Sequence, residues 1–404
     1  METEVLVVGA GPTGMAAAAA LNRWGVKTRV IDNAAAASNH SKALAVQAGT
    51  LECLEDLLGP QLPQAMVTRG LPVKVLHLNI EGQRPLRVET STIPSSHPYI
   101  LVLEQSWTER LLAEHLAEKS VLIERSTELL KTQDHGEWVS SLIRKADGSE
   151  ETVRSLFVLG CDGAHSVVRR QAGIEFKGNP YEGDFILGDV RLDWPLPDGE
   201  VQIFIGRKGA LAAFPIQGDR RFRLILVPKE KKSVESLDIS PEEFVETARA
   251  LCPEALTILE SIWLTRFRVH HRRAETFQKG RLFLLGDAAH IHSPLGGQGM
   301  NTGIQDAVNL AFKVARVLRH DAPLDFLSRY QAERLPVAEA LLRNTDAATR
   351  TLLLGGNPFL RALVFRLAPR LGRLGFLRAK IIRGVSQIDI ARREIKERHQ
   401  VEKR

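Results

Sequence analysis

Apolar and polar positions switch between two periods along this chain, and the switches mark its elements. Glu4 to Val8 is a short, nearly unbroken apolar run closing on a glycine cluster, the pattern of a buried parallel strand. Met15 to Trp24 is alanine-rich and predicts a helix, with Gly25 where a helix stop belongs. Val26 to Ile31 predicts a second strand, ending at Asp32. In that order, strand, glycine turn, helix and strand turn a glycine cluster into a nucleotide-binding context.

Further on, Val73 to Ile80 and Pro85 to Glu89 flank Glu81-Gly82 and predict a hairpin. Gln105 to Lys119 predicts a helix with Leu111, Leu112 and Leu116 on one face, and Val153 to Leu159 predicts a strand. Phe185 to Val190, Val201 to Ile205, Ala210 to Pro215 and Phe222 to Val227 predict a meander of strands. Ser240 before Pro241 opens a helix, Arg281 to Leu285 is a strand, and helices dominate after Thr302. Ala34 to Ala37 is expected to be loop, and no internal repeat is present. The expected architecture is α/β. A Rossmann-like nucleotide-binding domain of residues 1–72, 99–175 and 278–350 surrounds a β-sheet substrate domain of 73–98 and 176–277. A helical tail of 351–404 follows.

Composition adds limits. At 404 residues, 44% hydrophobic and 25% charged, the chain has room for two cored domains. No apolar run approaches the roughly 20 residues that cross a bilayer, and no basic segment precedes the first strand, so a signal peptide is not expected. Cys53, Cys161 and Cys252 lack metal-like spacing and suit a reducing, cytoplasmic setting. The net charge of +6 belongs to the tail: residues 355–404 hold 13 Lys and Arg against 4 Asp and Glu. That balance of +9 leaves −3 for the remainder. A solvated face is the expected role of the tail, with no nucleic acid as partner. Leu360, Leu363, Val364 and Leu367 alternate with Arg361, Arg366 and Arg370 at helical spacing. Such a helix is expected to pack on the body, peripheral membrane contact being the other reading.

Three glycine motifs carry the chemistry. In Gly9-Ala10-Gly11-Pro12-Thr13-Gly14 the glycines permit a tight turn, close backbone approach to a pyrophosphate and helix-on-strand packing, while Asp32 is placed to bond a ribose. The second motif is Cys161-Asp162-Gly163-Ala164-His165-Ser166, with Arg169 beyond. The third runs Gly286-Asp287-Ala288-Ala289-His290 and on through Pro294-Leu295-Gly296-Gly297-Gln298-Gly299-Met300-Asn301. His290 and His292 stand two apart on a loop, not at the helical spacing of a zinc pair, so no metal is expected. His270, His271, Arg272 and Arg273 read as a surface or strand-edge cluster.

In this order the three motifs resemble the single-component FAD-dependent monooxygenases, the aromatic (phenol-type) hydroxylases of the p-hydroxybenzoate hydroxylase kind. The resemblance covers most of residues 1–350 and is weakest in the β insertion. It implies a glutathione-reductase-like FAD-binding domain, in which Asp287 bonds the ribityl chain and Pro294 to Asn301, including Gly297, Gly299 and Met300, lies against the isoalloxazine ring. A helix N-terminus after that loop would stabilise negative charge on the reduced flavin. Asp162 and Gly163 would contact FAD and the pyridine nucleotide, and Gln105 the pyrophosphate or ribityl region. Lys42, in Ser41-Lys42-Ala43, stands where relatives carry arginine, keeping the charge and losing the bidentate fork.

The implied reaction uses NADPH or NADH and O2 to hydroxylate a phenolic or other electron-rich ring through a flavin C4a-hydroperoxide. Phe204, Phe214 and Pro215 are the expected lining of the substrate pocket, with Tyr181 and Gln202 as polar contacts. No catalytic side chain is named beyond the loop candidates Pro294 and Gly297. The alternatives are another flavin oxidoreductase (epoxidase, halogenase or reductase), or a non-catalytic nucleotide-binding protein docked by its basic tail. No Trp-x-Trp-x-Ile-Pro segment of the tryptophan-halogenase kind is present. Some relatives append a thioredoxin-like domain after a segment similar to Ser386-Gln387-Ile388; only 16 residues follow here, so that domain is not expected. A monomer or homodimer is expected.

Overall fold

Val5–Val8 is apolar throughout because it lies inside a parallel sheet, between Phe157–Gly160 and Thr28–Ile31. No side chain in it is more than 5% exposed. In the computed structural model the described residues are 3–37, 43–229, 238–293, 296–349 and 382–402, without the side chains of 181–184, 269, 348, 401 and 402. Lys42, Pro294, the Tyr181 side chain and the Leu360–Leu367 stretch therefore lie outside the described residues.

Among the described residues the helices are α1 (Pro12–Arg23), α2 (Ala48–Leu58), α3 (Gln61–Arg69), α4 (Gln105–Glu118) and α5 (Val167–Gln171). They continue with α6 (Pro241–Leu251), α7 (Gly299–Leu318), α8 (Ser328–Ala348) and α9 (Ile388–Glu402). The sheet that holds Val5–Val8 has six strands in the order Gln278–Lys279, Leu282–Leu284, Phe157–Gly160, Val5–Val8, Thr28–Ile31 and Ile123–Glu124, parallel except for the edge strand Gln278–Lys279. Buried side chains of α1 and α7 join its strands in one apolar core. Arg29, 9% exposed, bridges Glu124 of this sheet to Glu151 of a three-stranded antiparallel sheet. The run Val153 to Leu159 thus divides at half-exposed Leu156 into two strands of different sheets, Glu150–Ser155 and Phe157–Gly160, where one was expected.

The second large sheet has eight strands: His290–Ile291, Thr257–Ala274, Phe176–Asp193, Arg221–Pro228, Gly209–Pro215, Val201–Gly206, Val75–Ile80 and Leu86–Glu89. The meander and the Val75–Glu89 hairpin are read directly from alternation. Thr257–Ala274 is not. Its register against Phe176–Asp193 slips so that Leu259 and Ile262 have no opposite residue, and both are about half exposed. Bulges of this kind break the period of two that sequence reasoning relies on.

The two faces of this sheet differ. On one, α6 seats Phe244, 0% exposed, against Gly188, where a Cβ would come 2.4 Å from its ring. Ile186, Val190, Phe204, Leu211, Phe222 and Leu224 pack around it. Ser240 caps α6 by accepting from Glu243 N at 3.2 Å. The other face carries Ile203, Phe214 and Ile225, half-buried, Ile203 and Phe214 packing next to Leu44, Val73 and Val102 and Ile225 next to Phe185 and Val227. Phe244→Ala is expected to cost about 3–5 kcal/mol, because the groove at Gly188 cannot close over the void. Chemical denaturation of wild type and variant measures it; a loss below about 1 kcal/mol would show that α6 is not the cover of this sheet.

Candidate active site

The glycine motifs converge. Gly9 sits at φ +101°, and a Cβ there would meet the Cys161 carbonyl oxygen at 2.4 Å, so the first and second motifs touch backbone to backbone. A Cβ at Gly14 would lie 1.9 Å from Gly9 O. Thr13 fills the space between the first and third motifs: Cβ atoms at Gly286 and Gly303 would approach its Oγ1 to 2.7 and 2.3 Å. Gly11 is different, for a Cβ there would meet nothing within 4 Å. Gly11 is also the cap of α1, with no side-chain cap hydrogen bond and Pro12 at the first turn. The first amides of α1 thus face open space, the arrangement that receives an anion.

Acidic and basic groups rim this cradle. Asp32 accepts from Ala10 N at 2.6 Å and Ala34 N at 2.8 Å, with Arg125 3.6 Å away, a neighbour that sequence reasoning did not single out. Asp162 accepts from Val167 N at 2.6 Å and Val168 N at 3.2 Å through Oδ2, while its buried Oδ1 has no partner among the described residues. Burial pushes the Asp162 carboxyl up. Asp287 is exposed between buried neighbours. Arg169, a motif residue, donates to Ala288 O and Ala164 O at 2.9 Å and covers the Phe176 ring, pinning the second motif to the third.

The third motif's loop is held by amides. Asn301, fully buried, accepts from Gln47 N and donates to Ala45 O and Gly297 O, each at 2.8 Å. Gln47 Nε2 donates to Gly296 O at 3.1 Å, leaving its buried Oε1 without a partner among the described residues. Gly297, at φ +60°, would bring a Cβ within 3.0 Å of the Ala45 side chain. Met300 is half-buried against the core, and the N-terminus of α7 at Gly299 has no side-chain cap. Gln105 accepts from Ala43 N at 3.2 Å and donates to Glu109 at 2.8 Å, so it braces the segment following Lys42. His292 donates from Nδ1 to Ser293 O at 2.8 Å, and its Nε2 lies beside Gly299. Burial, aided by His290, pushes the His292 imidazole down to about 4.

Under the loop runs a charged network that sequence reasoning missed. His290 donates to Asp306 at 2.7 Å, Gly286 N donates to the same carboxylate at 3.2 Å, and Arg334 donates from Nε to its other oxygen at 2.6 Å. Arg334 also bonds Glu394 of α9. A signal was present in the sequence: Asn301, Gln305, Asn309 and Lys313 recur every four residues, with Thr302 and Asp306 beside them, along a helix that is otherwise mostly apolar.

On the substrate side the expected residues part company. Phe214 stands on the face turned toward Leu44 and Val73. Phe204 points the other way, packed on Trp194 beneath α6, because it and Ile203 alternate across the strand. Pro215, next along the strand from Phe214, is buried and pairs with Phe222, and Gln202 is buried with Asn79 as its partner at 3.2 Å. Arg223 joins the two domains: it grips Asp189 at 2.6 and 2.7 Å and donates to Ala43 O at 3.4 Å. Beside the second motif, burial, and after it Arg272 and His165, push the His270 imidazole down. Buried His270 Nδ1 and Arg272 Nε have no partner among the described residues.

The family model described as FAD binding domain matches residues 2–345. An uncharacterized aromatic compound monooxygenase of Bacillus subtilis (strain 168) is 36% identical over 352 residues, covering 87% of this chain and 69% of that protein. The pentachlorophenol 4-monooxygenase of Sphingobium chlorophenolicum is 34% identical, over 86% of this chain and 64% of its own length. The 6-methylpretetramide 4-monooxygenase of Streptomyces rimosus is 35% identical, over 87% and 62%. The chain therefore spans about two thirds of these relatives. Among solved structures, an anhydrotetracycline hydroxylase from Streptomyces rimosus superposes with a TM-score of 0.79 at 28% identity, covering 96% of this chain and 76% of that one.

Two outcomes are expected from the site's geometry. Gly14→Ala, with no room for its methyl, disrupts the fold, whereas Gly11→Ala leaves the melting temperature of the FAD-free protein nearly unchanged and weakens FAD binding by about tenfold or more. Melting curves and FAD titration of both variants check this; equal FAD affinity in Gly11→Ala and wild type would remove the phosphate reading of the cradle. The second concerns acid. Because the folded value of His292 is about 4 against an ordinary 6.5, only the unfolded chain takes up this proton between those values. The stabilisation is complete above about pH 6.5 and is lost toward pH 4, on the order of 3 kcal/mol. His292→Gln should flatten the stability profile over that window in urea unfolding run at several pH values.

Proposed function

This chain belongs to the FAD-binding domain family, among the single-component flavin-dependent aromatic monooxygenases, and on that premise we propose that it uses NAD(P)H and O2 to hydroxylate a phenolic or comparable electron-rich ring. The observation that carries the cofactor reading is Gly11. Gly9 and Gly14 are required by the protein's own packing, but among the described residues no atom lies within 4 Å of where a Gly11 Cβ would be, at the uncapped start of α1. The residues present fit FAD.

The first turn of α1 would bind the pyrophosphate, Asp32 the adenosine ribose and exposed Asp287 the ribityl chain. Gly296, Gly297 and the N-terminus of α7 would lie along the isoalloxazine, where helix amides favour an electron-rich edge. Bound FAD would supply two-electron transfer from NAD(P)H to O2, the chemistry no side chain here provides. What the chain supplies is position. Arg272 offers a guanidinium, and His270 a ring nitrogen, beside the second motif for the phosphates of the nicotinamide cofactor. The apolar face carrying Phe214, Ile203 and Ile225 would take the ring and keep water from it. Neutral, buried His292 next to Gly299 offers an acceptor rather than a charge at the loop.

The test follows NAD(P)H oxidation at 340 nm over a panel of phenols, nitrophenols and polycyclic aromatics, with peroxide and product assayed together. A yellow protein whose NAD(P)H consumption rises with one ring and yields an oxygenated product is the expected result. Arg272→Ala should then raise KM for NAD(P)H by about tenfold at unchanged FAD content. A protein that takes up no FAD, or one that consumes NAD(P)H without oxygenating any ring in the panel, would sink the proposal.

A further inference from the structure

The C-terminal helix α9 lies far along the chain from every motif, yet it touches both helices that carry the flavin-loop contacts. It packs against α2, which begins immediately after Gln47, and α7, which begins at Gly299. The approach is close: a Cβ on Gly49 in the first turn of α2 would lie 2.6 Å from Gln387 O. Arg392 pairs with Glu52 at 3.2 Å, and Arg398 and His399 with Asp56, on the outer part of this contact.

Its inner part is polar and directed. Gln387, 3% exposed, donates to Thr302 Oγ1 at 2.8 Å and accepts from Gln305 Nε2 at 3.1 Å, and Gln305 also reaches Thr50 at 3.3 Å. Glu394, 8% exposed, bonds Arg334, whose other groups donate to Asp306 at 2.6 Å and Thr302 O at 3.3 Å. Asp306 then accepts from His290 and from Gly286 N, either side of Asp287. Thr302, in the first turn of α7, is thus held from two directions by groups that depend on α9.

We propose that Glu394 and Gln387 are positioning residues for the flavin-binding loop, fixing Arg334 and Gln305 and through them the first turn of α7 and the Gly286–His290 segment. The inference rests on the FAD reading above. A guanidinium is a planar fork, so its orientation toward Asp306 is set by the acceptor on its far side. Without Glu394, Arg334 loses the acceptor at Nη1 and is held only by Asp306 and Thr302 O. Burial pushes the Asp306 carboxyl up, but Arg334 and His290 outweigh it and hold it below the usual carboxylate range. Burial pushes the Glu394 carboxyl up. Both carboxylates bond Arg334, and what Glu394 contributes to its orientation is an acceptor in the right place. A glutamine should do the same.

The experiment measures the FAD dissociation constant and the visible spectrum of bound flavin for Glu394→Ala, Glu394→Gln, Gln387→Ala and Arg392→Ala in the full chain, with melting temperatures of the FAD-free proteins alongside. Glu394→Ala and Gln387→Ala are expected to weaken FAD binding about tenfold and to alter the flavin spectrum, while Glu394→Gln stays within about threefold of wild type. Arg392→Ala, which removes only an outer ion pair, should bind FAD as wild type does. Should Glu394→Ala fail to fold, Gln387→Ala decides on the same readouts. Wild-type affinity and spectrum in the folded variant that decides would overturn the inference, as would an equal loss in Arg392→Ala. If wild type itself takes up no FAD, the functional proposal fails first and this one with it.

Discussion

A carboxylate with no exposure to water organises the catalytic half of this protein. Asp306 can keep its charge inside the core only because Arg334, His290 and the Gly286 amide all point at it. Removing one partner of such a buried pair leaves the other uncompensated, at a cost of about 3–5 kcal/mol. The three elements that supply these groups, α7, α8 and the segment after Leu282–Leu284, must therefore arrive in one register. An apolar cluster of equal volume would hold them together without fixing how far each slides along its axis. Directed bonds do fix it, and the segment so fixed is the one that presents Asp287.

Glycine serves two purposes here, and separating them separates fold from function. At Gly9, Gly14 and Gly303 the space is already taken by Cys161, Gly9 and Thr13, so a side chain is excluded by the protein itself. At Gly11 the protein leaves the space open. Only the second kind bears on a ligand. The same distinction holds in the large sheet, where one face is closed by α6 and the other leaves Ile203, Phe214 and Ile225 partly accessible.

Much of this was legible in residue order. The strand, glycine turn, helix and strand at the N-terminus, the meander between residues 201 and 228, and the capped helix at Pro241 all follow from period and turn chemistry, which are local. What escaped was non-local. Thr257–Ala274 hides behind three register shifts, and α2 and α3 were not marked at all. Phe204 and Phe214 look alike in sequence, and only the parity of their strands, set by what covers each face, sends one under α6 and the other toward the first domain. Arg334 and Glu394 lie 28 and 88 residues beyond Asp306, and nothing near either announces a partner that distant.

The two domains are specified by different means, and that difference bears on how such a chain can change its substrate. The cofactor side is held by a connected set of directed hydrogen bonds, so one substitution propagates through Asp306 or Asn301 to the loop. The open sheet face is held by strand pairing, and its half-buried Ile203, Phe214 and Ile225 make apolar contacts only, with no directed bonds. Exchanging Ile203 or Ile225 for another apolar residue changes shape without leaving a buried polar group unpaired. Arg223 marks the seam between the regimes: it is bound to Asp189 within the sheet and reaches Ala43 across it. On the proposed function, ring selectivity would drift on one side of that pair while the loop held by Asp306 on the other stays in place.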